Sequence, residues 1–420
     1  MKVEDGDGLA RSTADKVARR SYGKLVAFLA VRTRDVAAAE DALSEAFAKA
    51  LTDWPQNGCP ANPEAWLLTV ARRKAIDMHR GQRRHEVAAE QLQVMAEGLS
   101  AAAADVEFSG QIPDQRLALM FACAHPAIES VVRAPLILQV VLGLDAKAIA
   151  SAFLTSPAAM GKRLVRAKEK IRQSGVPFRV PEREELPARL DAVLDAIYAA
   201  FAEGWTDPGR TDLVRRDLVE EAMFLAGLMA ELLPGEPEPL GLFALLLHAD
   251  ARRGARRNWR GEYVPLNEQD PGLWDSRMIL AAEDLLRRAS ALGPIGRYQL
   301  EGALQSAHVH RCRTGRANWA EVVQLYEALF AITSSPVVAI NRALAIAETD
   351  GAGAGLNAMP EASADARLAE YQPYWAARAE LLGKMGAHEE ARYAYEIAIG
   401  LERDRSVQSF LRQRQAKLAL

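Results

Sequence analysis

Residues 145–172, DAKAIASAFLTSPAAMGKRLVRAKEKIR, constrain this chain more than any other stretch. Asp145 can cap a short helix that carries Ile149, Ala150 and Phe153 on its apolar side. Leu154 and Thr155 leave room for a tight turn. Ser156 and Pro157 then restart a helix, Ser as a cap oxygen and Pro at a first-turn position that needs no amide hydrogen. In this second helix Met160, Leu164, Ala167 and Ile171 form one seam for burial. Lys162, Arg166 and Lys170 stack on another face, with Arg163, Lys168 and Arg172 beside them. The arrangement is that of a helix-turn-helix, whose second helix enters the DNA major groove. An ordinary solvated helix also presents a basic outer face, so the rest of the chain has to decide between the two.

Charge distribution favours nucleic acid. The 420 residues sum to only −3, yet residues 1–180 hold 25 Lys and Arg against 20 Asp and Glu, net +5, and the remainder is net −8. A basic front and an acidic back predict a nucleic-acid partner for the first part alone. No run approaches the roughly 20 apolar residues of a membrane span. The opening MKVEDGDGLARSTADK lacks the apolar core of a secretory signal. Cys59, Cys123 and Cys312 are odd in number and far apart, which predicts a reducing, cytoplasmic setting without a disulfide framework.

In the first 85 residues the spacing predicts a helix over 12–33. A second helix follows, capped by Asp35, with Leu43, Phe47 and Leu51 buried and Glu40, Asp41, Ser44 and Glu45 outside. TDWPQNGCPANP reads as a loop, after which Asn62 caps PEAWLLTVARRKAIDMHRGQRR, with Trp66, Val70 and Ile76 toward the core. Arg72, Arg73, Lys74, Arg80, Arg83 and Arg84 crowd its C-terminal half against Asp77, a field that would hold phosphates. Part of that charge also complements the helix dipole.

The order AEDALSEAF, a Pro/Gly-rich loop, AWLLTVARRKAIDMHR and finally RLVRAKEKIR resembles bacterial RNA polymerase sigma factors of the extracytoplasmic-function class, within the sigma-70 family. The resemblance implies a region 2 domain over residues 1–85, a linker over 86–108 and a region 4 domain over 109–180. It implies that Asp41, Glu45 and Phe47 grip the β′ clamp helices of core RNA polymerase, with the β flap as a further contact. The loop 53–63 and the helix through Arg72, Arg73, Lys74, Asp77, Arg80, Arg83 and Arg84 would melt and read the minus-ten promoter element. Many members have Asn where this chain has Arg73, so base preference does not carry over. Ser156, Ala158, Ala159, Lys162, Arg163 and Arg166 would face the minus-thirty-five element.

Between the two blocks, residues 86–108 are Ala- and Gln-rich and read as a tether. Two apolar helices, broken near His125-Pro126 with Pro135 opening the second, would support the helix-turn-helix. Beyond Pro177, Pro181 and Pro187, residues 181–420 read as helix after helix, so the expected fold is all-α. Trp375, Ala379, Leu382, Gly386, Ala391, Tyr395 and Ala398 match tetratricopeptide spacing over 371–402, and Asn318, Trp319, Tyr326, Leu329 and Pro336 match it more loosely over 317–349. Such repeats stack into a groove for peptides or protein helices. Through LLPGEPEPLGLFALLLHADARR, YVPLNEQDPGLWD and SSPVVAINRALAIAE the tail resembles the C-terminal extension of a subgroup of the same sigma factors.

Other constellations carry less. His308, His310 and Cys312 alternate, but in a helix that spacing spreads them rather than gathering a metal. GAGAG at 351–355 follows a helix and reads as an inter-repeat turn. No nucleophile elbow or zinc-protease motif occurs, so catalysis, metals and cofactors are not expected. The expected function is promoter-specific transcription initiation with core RNA polymerase, modulated by the tail. The alternative is a helix-turn-helix regulator with a repeat sensor and no obligatory polymerase; only a sigma factor needs the acidic helix and melting loop of the first 85 residues.

Overall fold

A computed structural model describes residues 2–33, 36–83, 112, 114–174, 181–205, 213–363 and 365–419. Among them the chain is helical, with one isolated antiparallel bridge between Arg257 and Tyr263. No helix among the described residues is long and apolar enough to cross a membrane. The chain folds as two units, residues 1–200 and 201–420. The expected cap Asp35, the linker 86–108 and Arg84 lie outside the described residues.

Unit 1 opens with α1 (Lys2–Thr33), α2 (Val36–Asn57) and α3 (Pro63–Arg83). Leu25, Val26 and Leu29 of α1 pack in a core with Ala39, Leu43, Ala46 and Trp54 of α2 and Leu67 and Ala71 of α3. Three expectations shift here. α1 begins ten residues before 12. The α2 seam runs through Ala46, Ala50 and Trp54, which turns Leu51, about 100° round the helix from Ala50, out to 45% exposure. α2 also runs through Pro55 to Asn57, so the loop shrinks to 58–62. Burying Trp54 outweighs the carbonyl that Pro55 leaves unbonded on the exposed Leu51 turn. Gly58, with φ +85°, ends the helix, its N–H donating to the Trp54 carbonyl at 2.9 Å. In α3 the buried positions are Leu67 and Ala71; Trp66 and Val70 are half-buried, and Trp66 meets Trp54 edge-on at 5.5 Å.

The second half of unit 1 comprises α4 (Gln115–Cys123), α5 (Ser130–Val140), α6 (Ala146–Ala152) and α7 (Pro157–Ser174). Pro135 sits inside α5 rather than opening it. The carbonyl it deprives of a bond belongs to Val131, whose side chain is 65% exposed, so water can serve that turn. The rest of α5 is almost wholly buried and forms the platform beneath α6 and α7. The first residues of α8 (Pro187–Trp205) complete the unit: Leu190, Val193, Leu194 and Ile197 are buried, and buried Arg189 donates to the Phe121 carbonyl at 3.1 Å.

Unit 2 holds α9 (Leu213–Leu232), α10 (Pro237–Ala251), α11 (Ser276–Ser290) and α12 (Arg297–Thr314). α10 is apolar all round and lies between its neighbours. Gly241 lets the α12 backbone approach so closely that a Cβ would stand 2.6 Å from the Gln299 nitrogen. Beside it Glu238 accepts from Tyr298 N (2.8 Å) and Gln299 N (3.2 Å), serving free donors at the start of α12.

Next come the pairs α13 (Trp319–Thr333) with α14 (Pro336–Asp350), and α17 (Gln372–Lys384) with α18 (His388–Leu401). α15 (Ala352–Ala358) and the single turn α16 (Ala366–Ala369) lie between the pairs. GAGAG is therefore not a turn throughout: Gly351, at φ +90°, breaks the chain and the next residues enter α15. Trp375, Ala379, Leu382, Ala391, Tyr395 and Ala398 meet in one apolar cluster, closed by Leu411 of α19 (Arg405–Ala416).

Candidate nucleic-acid interface

The cationic helix α7 is held by its apolar seam, and α6 and α7 are each capped at the N-terminus. Met160, Leu164, Ala167 and Ile171 are all buried. Asp145 Oδ1 accepts from Ala148 N at 2.7 Å and Ser156 Oγ accepts from Ala159 N at 3.2 Å. Leu154 takes the left-handed conformation, φ +48°, and the Thr155 N–H reaches the Ala150 carbonyl at 3.0 Å. Three single-residue devices thus fix the angle between α6 and α7.

With the seam buried, Ser156, Ala158, Lys162, Arg163 and Arg166 are exposed and Ala159 is half-exposed. Of the three remaining cations, Lys170 reaches toward Glu129 at 3.6 Å, Lys168 is half-buried against Glu40, and the Arg172 side chain is outside the described set. Sequence reading missed Val165, which is 69% exposed. It lies three residues after Lys162 and seven after Ala158, on the face opposite the seam, and a helical wheel would have found it. Cations suited to phosphates and guanine edges therefore flank an apolar group suited to a thymine methyl.

α3 offers a second cationic surface. Arg72, Arg73 and Lys74 are exposed; Arg72 lies over the Phe28 ring at 5.1 Å, and Lys74 Nζ is 2.6 Å from Glu45 Oε2. Asp77, Arg80 and Arg83 lie on the same helix, but their side chains, like that of Ile76, are outside the described set.

Of the three residues expected to grip polymerase, Asp41 and Glu45 are exposed and Phe47 is half-buried, stacked on Tyr22 at 6.4 Å. Burial, then the neighbouring Glu40, pushes the Tyr22 hydroxyl up to about 12. It therefore stays neutral beside the acidic helix.

His308, His310 and Cys312 lie on α12. His308 packs on Trp319 and pairs with Arg311, whose Nη2 lies 3.0 Å from its Nδ1. Among the described residues no group of three or more His, Cys, Asp or Glu could hold a metal.

Residues 17–85 match the family described as Sigma-70 region 2, and residues 189–290 match a family of unknown function (DUF6596). The chain is 37% identical, over 387 residues, to the uncharacterized protein R00370 of Rhizobium meliloti (strain 1021); the alignment covers 92% of this chain and 91% of that protein. No solved structure matches it.

Proposed function

The chain belongs to one family with the Rhizobium meliloti protein and carries a sigma-70 region 2 domain, and on that premise we propose that it is an RNA polymerase sigma factor of the extracytoplasmic-function class. In this reading α1 to α3 bind the β′ clamp helices through Asp41, Glu45 and Phe47 and open the minus-ten element with the cations of α3. The α6–α7 pair acts as region 4 at the minus-thirty-five element and the β flap, through Lys162, Arg163 and Arg166. The observation that carries the proposal is that the region 2 match covers α2 and α3, where Asp41, Glu45, Arg72, Arg73 and Lys74 are exposed rather than spent on the core.

The helical tail, net −8, is proposed to modulate this activity as a repeat array with a groove for a protein or peptide. The apolar cluster of α17 and α18, built from the positions with tetratricopeptide spacing, supports that reading. None of these roles requires catalysis.

Run-off transcription with purified core RNA polymerase, on the DNA upstream of the chain's own gene, tests the proposal. The expected result is a discrete transcript that depends on the chain. A chain that binds that DNA yet neither co-elutes with core polymerase nor supports a transcript would instead be a helix-turn-helix regulator.

A further inference from the structure

In unit 2 the connection from α10 to α11 covers residues 252–275 and contains only single 3₁₀ turns, and loops of that length inside a compact unit ordinarily carry function. It is firmly held. Asn258 Oδ1 accepts from Arg260 N at 2.9 Å and Glu262 N at 3.0 Å, and the bridge between Arg257 and Tyr263 closes the turn. Two ties then fasten the loop along α19. Near the start of that helix Ser406 Oγ donates to the Gly261 carbonyl at 3.2 Å, next to the Arg257–Asp404 ion pair at 2.5 Å. About 12 Å further along it, at 1.5 Å per residue, Arg414 Nη2 lies 2.6 Å from Glu268 Oε1.

Between these ties the space is left open. A cavity of about 210 Å³ separates loop from helix, enough for several waters or one molecule smaller than a drug. Its wall carries both signs of charge: Glu262 and Glu268 are offset by Arg414 and Lys417, so neither an anion nor a cation is favoured. Glu268 already pairs with Arg414, and Glu262 accepts from Asn258 Nδ2 at 2.7 Å, which leaves spare lone pairs and N–H groups rather than unmet charge. Ser409, Gln413 and the Tyr263 hydroxyl also line the space and form no side-chain hydrogen bond among the described residues. Burial raises the Tyr263 hydroxyl above its usual range, so it keeps its proton as a donor. Tyr263 meets Phe410 edge-on at 5.3 Å, and the two rings supply an apolar wall.

We infer that this cavity binds a small neutral polyol, a single ring sugar or cyclitol, with its hydroxyls on Glu262, Ser409 and Gln413 and its apolar ring face on Tyr263 and Phe410. A hydroxyl both donates and accepts, so it uses a wall of mixed donors and acceptors that a simple ion cannot. The site lies wholly within unit 2 and does not depend on the sigma-factor reading.

Saturation-transfer NMR on the full chain tests the inference, with glucose, galactose, mannose, N-acetylglucosamine and myo-inositol as probes and glycine betaine and free arginine as charged comparators. At least one polyol should receive saturation at its ring C–H protons, and Gln413→Leu should raise its Kd about fivefold or more. Ser409→Trp, which fills the cavity from an exposed position of α19, should abolish the signal. Circular dichroism and thermal unfolding confirm that both variants fold. A disaccharide of the bound sugar that binds no better than the monosaccharide identifies a free sugar as the occupant, and one that binds about tenfold tighter identifies the end of a glycan chain. Silence from every polyol, a signal that survives Ser409→Trp unchanged, or binding by betaine or arginine in place of the polyols overturns the site.

Discussion

Lys74 Nζ lies 2.6 Å from Glu45 Oε2, so a cation of the candidate DNA surface and a carboxylate of the candidate polymerase surface form one ion pair where α2 and α3 meet. Both side chains are about half exposed, so the pair adds about 0–1 kcal/mol to stability. Lys74→Ala should leave the unfolding temperature almost unchanged. In anisotropy titrations over a salt series it should weaken duplex binding irrespective of sequence and reduce the salt slope by about one.

Arg166 and Ser156 separate contact from support on the cationic helix α7. Arg166 is exposed, whereas the Ser156 hydroxyl caps α7 through Ala159 N. Arg166→Ala should weaken binding to a minus-thirty-five duplex by roughly tenfold or more with no thermal cost. Ser156→Ala should lower stability by about 1 kcal/mol. Thermal unfolding beside DNA titration distinguishes the two.

Gly241 lies where α10 meets the backbone of α12 at close range. Gly241→Ala would press a methyl onto the Gln299 backbone, which cannot swing aside as a side chain can. A loss of about 1–3 kcal/mol is expected in denaturant unfolding. Glu238→Ala, which strips two donors of their acceptor, should cost a similar amount.

Truncation should respect α8 rather than the proline-marked boundary. A chain ending at 185 lacks Arg189, Leu190, Val193, Leu194 and Ile197, all buried in unit 1, whereas a chain ending at 205 keeps them. The longer fragment should unfold cooperatively. The shorter one should bind a hydrophobic dye and lose cooperativity.

His308 makes unit 2 acid-sensitive. Burial first, then Arg311 and Arg252, push its imidazole down to about 4 from the usual 6.5. The folded chain therefore refuses a proton that the unfolded chain accepts. The contribution is complete above about pH 6.5 and is lost as pH falls toward 4, on the order of 3 kcal/mol in all. Thermal unfolding from pH 7 to pH 4.5 should be flatter for His308→Gln than for the parent.

The α7 seam was legible in the sequence because four apolar residues at helical spacing leave no other face to bury, and Asp145 and Ser156 named their own helix starts. Leu51 is not legible because a single helix cannot say which of two adjacent apolar stripes its neighbours will cover, and Pro135 is not because the carbonyl it leaves unbonded falls on an exposed turn that only the packing reveals. Val165 is legible from its place on the helical wheel opposite the seam, though not from charge.

By itself the sequence determined the all-α class, the helix-turn-helix, the cationic faces and the break between a basic front and an acidic back. All of these depend on spacing and composition within a few turns of chain. Only the tertiary structure decided that Lys74 meets Glu45, that Lys168 meets Glu40 across 128 residues, and that Gly23 must be glycine. Pairings across such separations depend on how the bundles pack, and no local periodicity encodes which charge will face which.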